Sequence, residues 1–206
     1  MSPPAAEAGG KRAQTKAHNR RAILDAALEV FTETGYGAAS IRDVIRRTDL
    51  AAGTFYNYFP DKASVFHAVL EERTIDLRRR LREVRQRART LEAVVREGFD
   101  VYFSFIVEDR ALFAMLRRNA GTVQALFDTP ALQLGIAELV EDLRAIAARG
   151  DLPAAVDLDF LGAAMGGVAF EVGIRLIEQE PPDVPGAVAF ASDLFLGGIA
   201  RLGQRG

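Results

Sequence analysis

Hydroxyl, amide and cationic side chains of the kind that bind nucleic acid are concentrated between positions 40 and 62. Arg42 can donate two hydrogen bonds to a guanine edge, and the Asn57 amide can pair with adenine in the same way. Ser40 at a predicted helix start, the nearby threonine and tyrosine hydroxyls and the Lys62 ammonium can bind phosphates. The predicted DNA-binding set is Ser40, Arg42, Thr54, Tyr56, Asn57, Tyr58 and Lys62.

Short helices with clear start and stop signals must position these residues. Apolar residues at helical spacing predict a first helix, and Gly35 is suited to end it. Ser40, with Asp43 three residues later, predicts the capped start of a short second helix. Pro60 ends a third helix and Asp61 caps a long fourth one. The first, third and fourth helices are predicted over about 16–33, 51–59 and 62–87. A turn of about three residues between the second and third is typical of a helix-turn-helix.

Particular identities in this region resemble those of the tetracycline-repressor (TetR) family. They are the stretches 21–27 and 40–44, Phe31 with Gly35 and Tyr36, and the stretch 53–62. The resemblance implies an Ω-shaped all-α homodimer, a palindromic operator and a variable C-terminal ligand domain. It also implies that the last two helices build a four-helix bundle between the two subunits.

Three positions depart from the family's pattern. Asp49 stands where the family usually has glycine, although Asp tolerates a left-handed conformation better than most residues. Ala51 replaces the usual Ser or Thr cap of the third helix, a loss of roughly 0.5–2 kcal/mol. Ala52 replaces a position that is often polar or basic. These departures support an alternative function, a helical ligand-binding or scaffold protein that has lost specific operator binding.

The charge distribution favours a polyanion at one end of the chain. The net charge is −2, but residues 1–89 hold 17 Lys and Arg against 11 Asp and Glu. The predicted N-terminal tail contributes Lys11, Arg12, Lys16, Arg20 and Arg21, which can lie on the DNA backbone or enter a minor groove. For Lys11 and Arg12 a solvated tail explains the charge equally well.

Apolar and aromatic residues dominate the second half, where helices are predicted over about 91–107, 110–119, 131–149, 158–179 and 186–202. An aromatic-lined cavity suits a small hydrophobic effector. Because the second half of the chain is acidic, we expect this effector to be neutral or weakly polar, with a fatty-acyl or aromatic compound as the leading expectation. The predicted ligand-binding set is Phe99, Tyr102, Phe103, Phe113, Met115, Phe127, Met165 and Phe170. Asn119, Glu171 and Arg175 are polar candidates for orienting that ligand.

Small residues recur in the last two predicted helices. Glycine inside a helix costs roughly 1 kcal/mol relative to alanine, and it is tolerated where backbones approach closely. We therefore predict a dimer interface at Gly162, Gly166, Gly173 and Gly197.

Other function classes find little support. The chain has no cysteine and two histidines, and neither histidine has a metal-spaced partner. The sequence therefore predicts neither an enzyme nor a metal or cofactor site. No secretory signal is recognisable, and the longest apolar run, 160–170, is shorter than the roughly 20 residues that a membrane span needs. We expect a cytoplasmic protein without a membrane partner.

The sequence as a whole predicts an all-α protein with three parts. These are a disordered tail over 1–15, a helix-turn-helix domain over 16–62 and a ligand-binding and dimerisation domain over 63–206. The expected function is ligand-responsive transcriptional regulation, with double-stranded operator DNA, a small hydrophobic effector and a second copy of the chain as partners.

Overall fold

The computed structural model describes residues 5–119 and 130–204, and its regular elements in these ranges are α-helices. This confirms the predicted all-α class. The helices are α1 (Ala5–Thr34), α2 (Ile41–Ile45), α3 (Ala52–Tyr56), α4 (Lys62–Arg87), α5 (Leu91–Glu108), α6 (Arg110–Arg118), α7 (Pro130–Ala148), α8 (Leu158–Ile177) and α9 (Val184–Gly203).

The chain divides into two compact units. Unit one contains the described residues up to Glu72 together with 114–119, and unit two contains 73–113 and 130–204. The boundary lies inside α4 rather than at its start, where the sequence analysis placed it. It also lies inside α6, because residues 110–113 belong to unit two and residues 114–118 to unit one.

α1 begins at Ala5, eleven residues before the predicted start at Lys16. The tail expected over 1–15 is therefore helical from Ala5 onward. Alanine, glutamate, lysine, arginine and glutamine are strong helix formers, and they outweigh Gly9 and Gly10 in this stretch.

The core of unit one forms where α1, α3 and α4 bury their apolar faces. Phe31 is fully buried and packs edge-on against Phe66, with ring centroids 5.1 Å apart. Phe55 and Phe59 are 1% and 5% exposed, so the prediction that both are core residues is confirmed. Gly35 ends α1 with φ +80°, a left-handed conformation that favours glycine.

The turn between α2 and α3 closes without a left-handed residue. Among the described residues, only glycines have positive φ, so Asp49 does not adopt the conformation that the sequence analysis expected. Thr48 stabilises the turn instead, because its hydroxyl donates to the Ile45 carbonyl at 2.9 Å and accepts from the Leu50 amide at 3.3 Å. Ala51, the N-cap residue of α3, provides no side-chain cap, as predicted.

Unit two is built on close approaches between helices. A Cβ on Gly162 would lie 2.6 Å from Val140 Cγ2, and one on Gly173 would lie 2.5 Å from Ile106 Cδ1. Both glycines therefore allow close packing within one chain, and this contact accounts for them without the predicted dimer interface. Gly150 ends α7 with φ +83°, which confirms the predicted stop.

The last two helices carry much apolar surface that their own chain leaves exposed. By length and composition alone, α8 and α9 could each cross a membrane, and only 28% and 22% of their most apolar windows are buried. The expectation that no segment is long enough to span a membrane was based on the uninterrupted apolar run 160–170. The full helices α8 and α9 are longer than this run. Phe160, Phe190 and Leu194 are 77%, 61% and 49% exposed.

Candidate nucleic-acid interface and aromatic cluster

Ser40 and Asp43 form a complete capping box at the start of α2. The Ser40 hydroxyl accepts from the Asp43 amide at 3.3 Å, and Asp43 Oδ2 accepts from the Ser40 amide at 3.0 Å. The Ser40 hydroxyl also donates to Asp43 Oδ2 at 2.5 Å. This hydrogen bond and the one from Arg46 lower the pKa of Asp43 to about 2. The single Ser40 hydroxyl proton is thus used inside the cap, and a phosphate contact would require it to turn outward.

Arg42 is the unpaired cation of α2. Its side chain is exposed, and within the described ranges it makes neither an ion pair nor a hydrogen bond. Its neighbours differ, because Arg46 pairs with Asp43 and Arg47 pairs with Glu33. Arg42 is therefore the α2 guanidinium that is free to meet a ligand.

α3 and the residue that follows it present polar groups to solvent. Tyr56 is 56% exposed and packs edge-on against Phe55, with ring centroids 5.5 Å apart. Asn57 is exposed, whereas Thr54 and Tyr58 are half-buried. The structure thus brings these four predicted residues together on one short segment, fixed from beneath by the buried Phe55.

Lys62 lies at the start of α4 but is directed at the α1–α2 loop. Its ammonium donates to the carbonyls of Tyr36 at 2.6 Å, Ala39 at 2.9 Å and Gly37 at 3.5 Å. It also lies 4.4 Å from the centroid of the Tyr36 ring. These three bonds use all the N–H groups of the ammonium. The predicted phosphate contact would require at least one of them to break.

The cations of α1 fall into two groups. Arg20 pairs with Glu72 at 2.5 Å, and Arg21 pairs with Asp25 at 3.0 Å and Glu72 at 3.3 Å. Arg12 and Lys16 are exposed and have no such partner among the described residues. Of the cations predicted to contact DNA from this end of the chain, Arg20 and Arg21 are therefore already neutralised.

Asn119 has a structural role that the sequence did not indicate. It is 3% exposed, and its Oδ1 accepts from the Tyr36 amide at 2.5 Å. Its Nδ2 donates to the carbonyls of Met115 at 2.6 Å and Phe31 at 3.4 Å. The carbonyl oxygen and the amino group of the Asn119 side chain are thus both hydrogen-bonded within unit one. Asn119 is therefore not available to orient a ligand in the aromatic cluster. The contact joins residues 83 positions apart, so no local signal marks it.

Most of the predicted ligand-binding aromatics pack against one another in unit two. Phe99 stacks on Phe103 with ring centroids 5.7 Å apart, and Tyr102 lies edge-on to Phe113 at 6.3 Å. Phe113 contacts Phe170 at 5.8 Å. Phe99, Phe103, Phe113 and the predicted Met165 are all buried. Phe195 of α9, which was not predicted to belong to this cluster, stacks on Phe99 with ring centroids 5.8 Å apart.

Two members of the predicted set lie elsewhere. Met115 is buried, but it belongs to unit one. Phe127 lies outside the described residues.

Tyr102 is the polar member of this cluster. Burial raises the pKa of its phenol well above the ordinary value. Within the described part of the chain, its hydroxyl has no hydrogen-bond partner. An unpaired hydroxyl beside apolar rings suits a ligand that is mostly apolar and carries a hydrogen-bonding group.

Glu171 and Arg175 line a separate cavity of about 460 Å³ on α8 and α9. Asp183 and the exposed Phe190 also line it, and it shares no residue with the aromatic cluster. Glu171 and Arg175 therefore do not orient a ligand among the predicted aromatics. In the described ranges, no three His, Asp or Glu residues are placed to hold a metal ion.

Comparison with known proteins agrees with this geometry. Residues 23–69 match the model of the family described as bacterial regulatory proteins, tetR family. An uncharacterized helix-turn-helix-type transcriptional regulator from Haemophilus influenzae is 32% identical over 118 residues. The match covers 56% of this chain and 58% of that relative, so it spans little more than half of the relative's length.

Solved structures share the fold over nearly the whole chain. The fatty acid degradation regulator FadR from Bacillus halodurans is 23% identical with a TM-score of 0.74, over 87% of this chain and 95% of its own. FadR from Bacillus subtilis, solved in complex with stearoyl-CoA, is 20% identical with a TM-score of 0.75, over 87% of this chain and 98% of its own.

The capped α2, the short turn and α3 define a helix-turn-helix protein. Over residues 23–69 the chain is similar to bacterial regulatory proteins of the tetR family, and the Haemophilus influenzae relative is of the same helix-turn-helix regulator type.

Proposed function

We propose that this protein is a cytoplasmic, ligand-responsive transcriptional repressor that binds a palindromic operator as a homodimer. The observation that carries the proposal is the exposure of the unpaired Arg42 on α2 together with that of Tyr56 and Asn57 at the end of α3. Arg42 and Asn57 have the geometry to read guanine and adenine edges, while Thr54, Tyr56 and Tyr58 supply hydroxyls to phosphates. Ser40 and Lys62 take part only if their present hydrogen bonds rearrange.

The exposed apolar faces of α8 and α9 support the homodimer. Phe160 and Gly167 are seven residues apart and so lie on one face of α8, as Phe190 and Leu194 do on α9. A Cβ on Gly167 or Gly197 would meet nothing within 4 Å in this chain, so a partner backbone has room to approach closely. Of the predicted interface glycines, Gly197 fits this role, whereas a Cβ on Gly166 would already contact Ile136 of its own chain at 3.7 Å.

The aromatic cluster of unit two supports a hydrophobic effector. Its buried rings exclude water, and the unpaired Tyr102 hydroxyl can bind one polar group. A fatty-acyl compound combines these features, and a protein of the same fold was solved with stearoyl-CoA. An effector releases DNA only through its different affinity for the DNA-binding and non-binding states. Because α4 runs through both units, it is the element that we expect to carry the change.

Selection from a random-sequence duplex pool with the purified full-length protein tests the proposal. We expect a palindromic site, bound far more tightly than random DNA and released by stearoyl-CoA. The Arg42→Gln variant serves as the control for binding through α2. Recovery of no preferred sequence, with only weak salt-sensitive binding, would favour the alternative of a helical ligand-binding or scaffold protein. The uncapped start of α3 at Ala51 is the observation that keeps this alternative open.

A further inference from the structure

We propose that the N-terminal extension of α1 and the α3 segment together form a sequence-independent binding groove for the phosphates of one DNA strand. This inference rests on the proposed function and adds a contact surface to it. The α1–α3 groove is a cavity of about 490 Å³. It is lined by Arg12, Thr15, Lys16, Thr54, Asn57 and Tyr58.

The helical path of α1 is what creates the groove. Because the helix begins at Ala5, Arg12, Thr15 and Lys16 sit at positions i, i+3 and i+4 of one continuous helix. Residues at this spacing share one face, so the guanidinium, hydroxyl and ammonium lie side by side. The extension therefore holds its charges on a rigid element, whereas the predicted disordered tail would have had to order them on binding.

The charge of the α1–α3 groove is positive and uncompensated. Its lining contains two cations and four neutral hydrogen-bonding residues, without an acidic side chain. Neither Arg12 nor Lys16 has an ion-pair partner among the described residues. Further along α1, by contrast, Arg20 pairs with Glu72, and Arg21 pairs with Asp25 and Glu72. The cavity on α8 and α9 places Glu171 and Asp183 around Arg175, so it lacks this excess of positive charge.

Phosphodiester groups match this lining. Each carries one negative charge, and its oxygens accept hydrogen bonds from guanidinium, ammonium, hydroxyl and amide groups alike. The groove is also continuous with the proposed DNA surface, because Thr54, Asn57 and Tyr58 belong to both. A strand bound against α3 would therefore extend its own phosphates between α3 and α1. This continuity favours the DNA backbone over a free anion as the occupant.

The Arg12→Gln/Lys16→Gln double variant tests the groove through the salt dependence of DNA binding. Glutamine has a helix propensity close to those of lysine and arginine, so α1 should remain helical. A dimer loses four phosphate contacts, and the slope of log K against log salt should fall in magnitude by about 3.6. Between 50 and 200 mM salt, the wild type should thus lose roughly a hundredfold more affinity than the variant.

Arg89→Gln is the matched control, because Arg89 is an exposed cation of unit two without a partner in the described ranges. Its salt slope should equal that of the wild type. The double variant should weaken binding to the selected palindrome and to a random duplex by the same factor, and it should lose discrete backbone protections in hydroxyl-radical footprinting. An unchanged slope and footprint, with sequence-selective binding intact, would overturn the groove but not the proposed function. Failure of the wild type to bind any duplex would overturn both.

Discussion

Arg42 of α2 differs from Arg46 and Arg47, which follow the helix, because no acidic residue in the described ranges pairs with its guanidinium. If it reads a guanine, Arg42→Gln should relax the base preference at one position in each half-site, at a cost of roughly 1–3 kcal/mol for each contact. Binding to a panel of single-substitution operators measures this. An equal loss on every operator, accompanied by a smaller salt slope, would show instead that Arg42 contacts a phosphate.

The Lys62 ammonium fixes the α1–α2 loop through three carbonyls. Lys62→Met keeps the apolar stem and removes the donors, so the free energy of unfolding should fall by roughly 1.5–3 kcal/mol, as for other hydrogen bonds to charged groups. Urea unfolding followed by circular dichroism measures the loss. Unchanged stability together with a reduced salt slope for DNA binding would favour the phosphate contact that the sequence suggested.

Tyr102 offers a selective probe of the effector site. Tyr102→Phe removes only the hydroxyl, which has no partner among the described residues, so stability and operator affinity should be preserved. If the hydroxyl binds the effector, release of DNA should require roughly tenfold more stearoyl-CoA, in keeping with the loss of about 1.4 kcal/mol. A fluorescence-anisotropy titration of the preformed DNA complex gives this value. An unchanged midpoint would place the effector's polar group elsewhere.

At the scale of elements, helix ends were predictable because their signals act within one turn. Ser40 caps α2 through Asp43, the Asp61 carboxylate accepts from the Ser64 amide at 2.7 Å, and Gly35 and Gly150 adopt positive φ. The start of α1 was not predicted, because Pro3, Pro4, Gly9 and Gly10 were interpreted together as a disordered tail. Helix propensity over 5–15 decided the outcome there.

Packing partners were much less predictable than helix ends. The glycines of α8 indicate that another helix packs closely against it. The sequence does not say whether that helix belongs to the same chain or to a second copy. Gly162 and Gly173 turned out to face Val140 and Ile106. The residues predicted to contact DNA on and just after α3 lie together because they are adjacent in sequence. The bonds of Lys62 to the loop depend on a contact across 23 to 26 positions, which local patterns do not contain.

Glu138 of α7 holds three arginines of α4. It contacts Arg78 at 2.7 Å, Arg82 at 3.3 Å and Arg85 at 3.5 Å. The hydrogen bond from Arg78 is the largest cause that lowers the pKa of Glu138 below its ordinary value of 4.5. The stabilisation is thus fully present above pH 4.5 and is lost as the pH falls through the depressed pKa.

Glu138→Gln should lower the free energy of unfolding at neutral pH by roughly 3 kcal/mol, since it removes the negative charge that partly buried arginines share. Urea unfolding at pH 7 and at successively lower pH measures the effect. The gap between the wild type and the variant should narrow below pH 4.5. Glu92→Gln, which breaks an exposed pair with Arg96, is the control and should change stability by less than about 1 kcal/mol.

At the scale of the whole molecule, the exposed faces of α8 and α9 predict that the protomer is not the functional unit. Gly167→Glu should leave the protomer folded, because a Cβ at that position meets nothing within 4 Å. It should nevertheless produce monomers, since a twofold interface receives each new charge twice. Loss of operator binding should follow, because half-site spacing requires the dimer.

Analytical ultracentrifugation with circular dichroism distinguishes the outcomes. Gly98→Glu is the matched control, because Gly98 of α5 is likewise open and lies outside the proposed interface. A folded dimer of the Gly167 variant would require a different interface.

Asn119 makes one backbone amide sensitive to the position of a distant segment. The Tyr36 N–H donates to its side chain at 2.5 Å, and α6, which ends just before Asn119, begins in unit two. That amide can exchange its hydrogen for deuterium only while the Asn119 side chain is withdrawn. The hydrogen-exchange rate of the Tyr36 amide therefore reports how often the end of α6 separates from the residues it contacts. It can be measured at this single residue, five positions before α2.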